Sequence, residues 1–404
     1  MTQRLIVVGG GQAAAQTVQS LRQQGFDGAI TLIGDEPFLP YQRPPLSKRY
    51  LAGELPRERL FLRPAAFYAD KAIELELDTH VAEIDLRRHV VRLADGGKRD
   101  YDSLLLATGS RPRRLELPGA DLDGIHYLRS IADVDAIMAS LTRSARIVLI
   151  GAGYIGLEVA AVLRQRGLGV TVLEAAERVM SRVVCPTVSA YYHRRHVQAG
   201  VEIRYGVEIR AFRGRRRVES IDVSGEPLAC DVVIVGIGVV PNTQLASAAG
   251  LACGNGIIVD EFARTADPVV LAAGDCTNHP HPLLGRRVRL ESVQNAIHQA
   301  KVAAASLLGA PTAYSEVPWF WSDQYDAKLQ IAGLSEGFEE IAIRGDVDTD
   351  TFAAYYLAGN RLIAVDAVNS PRDFMQGRKI IASGIAVTAA QLRDPSTDIA
   401  ALAS

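Results

Sequence analysis

Cysteine is scarce in this chain, and scattered where it occurs. The four cysteines among 404 residues, Cys185, Cys230, Cys253 and Cys276, form no C-x-x-C and no wider pair at a helix start. That excludes a disulfide framework, a metal site of recognisable spacing and a redox-active dithiol, and leaves small, wholly or partly buried thiols. An excess of one charge is also missing. Lys and Arg number 44 against 46 Asp and Glu, a formal net charge of −2, so nothing global attracts nucleic acid or a membrane surface. Long apolar runs are absent, and 104–107 and 232–235 are only strand-sized. The start, MTQR, enters a strand without the charged, apolar and cleavage regions of a signal peptide, so a cytoplasmic protein is expected. Hydrophobic residues at 48% and charged ones at 22% carry no disordered signature. A chain of 404 residues is too long for one ordinary core, so two or three domains are expected.

What is present is a repeat. "RLIVVGGGQAAAQTVQSLRQQGFDGAITLIGD" (4–35) and "IVLIGAGYIGLEVAAVLRQRGLGVTVLEAA" (147–176) each read as apolar strand, glycine turn, helix, second strand and acid. The helices end at Gly25 and Gly167, residues able to take a left-handed conformation. "DYDSLLLATGSRP" (100–112) resembles "CDVVIVGIGVVP" (230–241), with Gly109 and Gly238 at broadly similar distances from their fingerprints. Alternating β excursions, 79–102 and 206–231, precede these two strands. The fold class is therefore α/β, with two Rossmann-like dinucleotide-binding domains. Beyond residue 315 the pattern changes to antiparallel strands, then a helix from about Pro371 to Ala382, a C-terminal α+β domain. The expected domains are 1–110 with 240–315, 111–239, and 316–404.

The fingerprints suit phosphates. In G9-x-G11-x-x-A14 the first glycine makes the turn, the second admits the pyrophosphate, and small residues such as Ala13 and Ala14 pack helix on strand. Asp35 is the acid that accepts hydrogen bonds from a ribose diol. Gly151, Gly153, Gly156 and Glu174 repeat the arrangement. One such motif is weak evidence; two, each with strand, helix and acid, are strong. Glu174 repels a 2′-phosphate, Ala175 and Ala176 offer no cation, and Arg178 lies farther on, so NADH is expected over NADPH at the second site. "PVVLAAGDC" (268–276) ends a strand with Gly274-Asp275, which can contact a ribityl–phosphate chain that NAD lacks. The first site is therefore expected to hold FAD. The other reading of Asp275 is a helix N-cap, since "RVRLESVQNAIHQAKVAAASLLG" (287–309) reads as helix. One site holds the flavin and the other brings nicotinamide to it.

At "YQRPPLSK" (41–48), "GYIGLEVA" (153–160), "ESVQNA" (291–296) and "PWFWSDQY" (318–325) the chain resembles the oxygenase-coupled, NADH-dependent ferredoxin reductases. The resemblance runs from about residue 4 to 385. It implies that Ala14, Asp35, Lys48, Val81, Arg129, Asp275 and Val293 line FAD. It implies that Gly153, Tyr154, Ile155, Glu158, Glu174 and Gly238 surround NADH, with Ile155 and Glu158 nearest the nicotinamide. Pro44 and Pro45 pack at the flavin, and Lys48 lies by the isoalloxazine, where a cation stabilises reduced, anionic flavin. Trp319 and Trp321 sit at the flavin edge where electrons leave. Lys48, Glu158, Pro44 and Trp319 are thus the implied catalytic set. Without that context Lys48 also reads as a solvated helix-start lysine, Trp319 as core, Glu158 as a partner for buried amides and Arg129 as a surface cation.

Related flavoprotein disulfide reductases keep a cysteine pair after the first βαβ unit. Here "YQRPPLSKRYLAGELP" (41–56) has none, so electrons have no internal dithiol to reach. The acceptor implied by the resemblance is a [2Fe-2S] ferredoxin feeding a cytochrome monooxygenase or a Rieske dioxygenase. Such ferredoxins are generally acidic, and Arg63, Lys301, Lys328 and Arg378 are expected to form a docking face. "RGRRR" (213–217) reads instead as a solvated turn. The competing readings are a flavoprotein resembling apoptosis-inducing factor, using NADH as a conformational signal, and an NADH oxidase. No metal ligand set is expected.

Overall fold

A run such as Leu5-Ile6-Val7-Val8 has no polar face, so it can form a strand only where apolar groups cover both sides. The computed structural model, which describes residues 3–402, shows both covers. Leu5 and Val7 pack among Ala14, Val18 and Leu21 of the helix Gln12–Gln23 and Ala300 and Ala303 of the helix Val293–Leu307. Ile6 and Val8 pack on the other face with Val81, Val91 and Leu93 of an antiparallel excursion. The period of two along the strand thus divides one apolar run between two cores.

The chain divides into two units. The first comprises the described residues up to Gln42, with Arg57–Arg111 and Val240–Pro318; the second comprises Arg43–Pro56, Pro112–Val239 and the chain from Trp319 onward. In the first, five parallel strands run in the order Val270–Ala272, Ser103–Leu106, Arg4–Val8, Ala29–Ile33, Ile73–Glu76. The segment after residue 240 therefore returns to complete the first sheet. The excursion is a three-stranded meander, Val81–Asp85, Val90–Leu93 and Lys98–Asp100.

The second unit repeats this plan. Its parallel strands follow the order Glu202–Arg204, Val170–Leu173, Ile147–Ile150, Val232–Val235, Ile125–Tyr127. Its meander is Ile209–Arg213, Ser220–Val223 and Glu226–Ala229, which contributes Phe212, Ile221 and Val223 to a core with Val148 and Ile150. From Trp319 a five-stranded antiparallel sheet forms, with the helix Pro371–Ser383 packed on it.

Two features depart from the sequence reading. The stretch 287–309 is not one helix, because Thr277–His281 and Arg286–Val288 pair as an antiparallel hairpin. The helix starts only at Val293, where Ser292 caps it by accepting a hydrogen bond from the Asn295 N–H. Residues 43–56 also group with the second unit, although they follow the first βαβ element in the chain. Tyr50 donates to Asp135 at 2.7 Å, and the Leu51 carbonyl accepts from Arg166 at 2.9 Å. No helix among the described residues is long and apolar enough to cross a membrane.

Candidate active site

Each glycine motif builds a cradle whose residue types follow from space. A Cβ on Gly9 (φ +127°) would stand 2.2 Å from the Ala107 carbonyl oxygen, and one on Gly151 (φ +99°) 2.5 Å from that of Gly236. A Cβ on Gly156 would stand 2.2 Å from the Gly151 oxygen, so the third position of this motif must also be glycine. Gly11 and Gly153 differ. They are the N-caps of the helices Gln12–Gln23 and Tyr154–Gln165, and a Cβ on either would meet nothing within 4 Å. Neither helix has a capping side-chain hydrogen bond or an acid in its first turn. Unsatisfied amides at the positive end of a helix dipole, beside a glycine facing open space, fit a pyrophosphate in both places.

The acids sit at the strand ends. Asp35 lies exposed just past Ala29–Ile33. Glu174 directly follows Val170–Leu173 and accepts from the Ala152 N–H at 2.6 Å and the Ala176 N–H at 2.9 Å. That carboxylate therefore closes its own glycine loop. The guanidinium of Arg178 bonds the carbonyls of Val184 and Ser181 at 2.9 and 2.8 Å. Gly238 (φ +99°) follows the strand Val232–Val235.

In the first unit Asp275 follows the strand Val270–Ala272 and accepts from the Ser110 hydroxyl at 2.9 Å. It caps no helix; Ser292 does that. Val81 is buried at the start of its strand, and Val293 opens its helix. Pro44, Lys48 and Arg129 belong to the second unit, whereas Gly9, Gly11, Ala13, Ala14, Asp35, Val81, Asp275 and Val293 belong to the first. Arg129 donates its N–H to Asp133 at 3.0 Å, and its carbonyl accepts from Arg43 at 2.7 Å.

Lys48 meets Glu158. Pro44 at N1 starts a single 3-10 turn, Pro44–Ser47, which presents Ser47 and Lys48 to the helix Tyr154–Gln165. The Lys48 ammonium lies 2.7 Å from Glu158 Oε2, and the Ser47 hydroxyl donates to the same oxygen at 2.5 Å. Ser322 donates to Oε1 at 2.7 Å. Glu158 is only 2% exposed, so a buried carboxylate is held by three donors. Its partners are two hydroxyls and an ammonium rather than the buried amides of the alternative reading. Ser47 and Ser322 were not singled out from the sequence. The signal for Ser322 was its place on a strand whose alternate residues are tryptophans.

Aromatic rings cluster nearby in the second unit. The centroids of Trp319 and Trp321 are 5.8 Å apart, those of Trp319 and Phe374 5.7 Å, and those of Tyr154 and Phe320 4.8 Å. Ile155, at the start of its helix, is 43% exposed. Of the basic candidates, Arg63 bonds Gln19 and lies over the Phe67 ring, and Lys301 is exposed on the helix Val293–Leu307. Lys328 and Arg378 belong to the second unit, on a strand and a helix that pack together. Two of the four arginines of the 213–217 run pair with local acids, Arg213 with Asp222 and Arg216 with Asp123. All four cysteines are free, three of them buried, and the described residues contain no cluster able to hold a metal ion.

Two phosphate cradles, each in front of its own parallel sheet, define an α/β protein built to hold two dinucleotides. The chain belongs to the pyridine nucleotide-disulphide oxidoreductase family, whose model matches residues 3–300, and the Reductase C-terminal model matches residues 319–403. It is 45% identical to rhodocoxin reductase of Rhodococcus erythropolis over 397 residues, covering 98% of this chain and 93% of that one. Among solved structures it matches the ferredoxin reductase for the CYP199A2 system of Rhodopseudomonas palustris with a TM-score of 0.97 and 43% identity, covering both chains fully. It matches the covalent putidaredoxin reductase–putidaredoxin complex with a TM-score of 0.96 and 42% identity, over 99% of this chain and 98% of that chain.

Proposed function

We propose that this protein is an FAD-containing NADH:ferredoxin oxidoreductase that passes single electrons to a [2Fe-2S] ferredoxin serving an oxygenase. The observation that carries the reading is the pair of open cradles at Gly11 and Gly153 in a chain with no cysteine at 41–56. Bound FAD supplies the one chemistry that side chains lack, accepting two electrons together and releasing them singly.

The domain at 1–110 and 240–315 holds FAD, 111–239 holds NADH, and 316–404 forms the C-terminal domain. Gly9, Gly11, Ala13 and Ala14 cradle the FAD pyrophosphate, Asp35 takes its ribose, and Asp275, steadied by Ser110, takes the ribityl chain. Val81, Arg129 and Val293 complete the lining, with Pro44 against the ring. Gly151, Gly153, Tyr154, Ile155, Gly156, Glu174 and Gly238 receive NADH. Glu174, which repels a 2′-phosphate, and Arg178, whose guanidinium is bound to two carbonyls, support NADH over NADPH. Lys48 presents its cation to the isoalloxazine, and Glu158 anchors that ammonium at 2.7 Å. Trp319 and Trp321 stand at the electron exit. Free thiols that form no disulfide suit a cytoplasmic setting.

Steady-state NADH oxidation by the purified yellow protein, against a panel of [2Fe-2S] ferredoxins, tests the reading. Rapid, ferredoxin-dependent turnover is expected. Slow stoichiometric reduction leaving a long-lived coloured complex would move the chain to the apoptosis-inducing-factor-like reading, and rapid oxygen consumption without ferredoxin to an NADH oxidase.

Arg63, Lys301, Lys328 and Arg378 are the proposed ferredoxin-docking charges. Reversing them to Glu lowers the second-order rate of ferredoxin reduction and flattens its fall with ionic strength, as stopped-flow measurements would show. Rates indifferent to both mutation and salt would defeat the assignment.

A further inference from the structure

Behind Glu158 runs a chain of buried polar side chains. Ser322, donor to Glu158, accepts at 3.2 Å from the amide nitrogen of Gln324. The amide oxygen of Gln324 faces His196 Nε2 at 2.9 Å, and His196 Nδ1 faces the Tyr325 hydroxyl at 3.3 Å. Ser322, Gln324 and His196 are all 0% exposed. The strand Trp319–Gln324 therefore has two characters. Trp319 and Trp321 point to one side, and Ser322 and Gln324 to the other, by the period of two.

The direction of every bond is determined. Glu158 as a carboxylate only accepts, so the single hydroxyl hydrogen of Ser322 points to it. Ser322 is then left as an acceptor, which turns the NH2 of Gln324 toward it and the amide oxygen toward His196. His196 must carry its proton on Nε2, leaving Nδ1 to accept from Tyr325. Flipping the Gln324 amide would set two acceptors face to face. Four donors in series thus point one way, ending on the carboxylate that holds Lys48. A packing role alone would be filled more cheaply by apolar residues, since buried polar groups must all be satisfied.

We propose that Ser322, Gln324 and His196 are positioning residues, holding the Glu158 carboxylate, and through it the Lys48 ammonium, in the orientation that flavin reduction by NADH requires. This rests on the reading of Lys48 and Glu158 as part of the nicotinamide–flavin site. The strand that carries the tryptophans thereby also sets the geometry of the ion pair.

The test is single-turnover reduction of the FAD-bound protein by NADH in a stopped-flow instrument. Ser322→Ala, with full FAD content and unchanged melting temperature, is expected to lower the limiting rate about tenfold, the worth of one hydrogen bond to a charged group, with little change in NADH dissociation constant. Ser322→Thr, which keeps the hydroxyl, restores most of the rate. A crystal structure of Ser322→Ala would show Glu158 turned from its place and the Lys48 contact lengthened. Should Ser322→Ala not fold, Gln324→Met, of similar volume, carries the same expectation. A folded variant with wild-type limiting rate and an unmoved Glu158 overturns the positioning role. Lys48→Met and Glu158→Gln separate the two levels. If both reduce at the wild-type rate, the reading of the pair itself fails; if they are slow while Ser322→Ala is not, only the relay fails.

Discussion

At the scale of single residues, the glycines divide by what surrounds them. Gly156 is shut in by the Gly151 oxygen at 2.2 Å, whereas Gly153 has an extended backbone (φ −78°) and open space where a side chain would go. Gly156→Ala should therefore destabilise the fold by about 1–3 kcal/mol, because the helix must shift off its strand. Gly153→Ala should leave the melting temperature unchanged yet raise the KM for NADH, because its methyl enters the path of the pyrophosphate. Thermal unfolding read beside steady-state kinetics distinguishes them, and equal effects on both variants would contradict the assignment. These glycines were readable in the sequence, since turn, helix and acid lie within one local stretch. Ser47, Ser322, Gln324 and His196 were not. Ser47 and Ser322 are unremarkable until the chain brings them to Glu158, 111 and 164 residues away, and Gln324 and His196 until it lines them up behind Ser322.

At the scale of elements, the C-terminal sheet buries a carboxyl group. Asp366 on the strand Arg361–Val368 is buried, its carboxyl pushed up to about 7 by loss of water, while the Tyr356 hydroxyl donates to it and accepts from the Cys185 N–H at 2.8 Å. The unfolded chain gives up this proton near the ordinary 3.8 and the folded chain only near 7. The stability contribution is therefore complete below the lower value and lost as pH rises through the higher one. Asp366→Asn keeps an acceptor for Tyr356 and removes the ionisation. It should raise the melting temperature more at pH 8 than at pH 5; an equal change at both would show that Asp366 does not titrate this way. The hairpin Thr277–His281 with Arg286–Val288 escaped the sequence reading for a related reason. Its polar, histidine-rich strand is stabilised by the packing of His279 and His281 on Tyr314, which local propensity does not register.

For the whole molecule, near-neutral charge conceals opposite local tendencies. Burial lowers His196 to about 4 and His279 to about 3, so both stay neutral in the folded state where the unfolded chain would bind a proton near 6.5. Their contribution is complete above the unfolded value and lost as pH falls toward the folded ones, about 3 kcal/mol for His196 alone by pH 4. Urea unfolding should show stability falling below pH 6.5, with a shallower slope in His196→Gln; an unchanged slope would mean that His196 is already charged in the folded protein.

The paired glycine cradles, the acids after their strands, the absence of a cysteine pair and the antiparallel C-terminal sheet were determined by the sequence alone, because each depends on residues close together along the chain. Tertiary structure alone decided that residues 43–56 group with the second unit, that Lys48 is anchored by Glu158, and that a one-way hydrogen-bond chain stands behind that anchor. Periodicity reports which face of an element is apolar. Which distant donor meets a buried carboxylate depends on how the chain returns to it, and only the folded protein determines that.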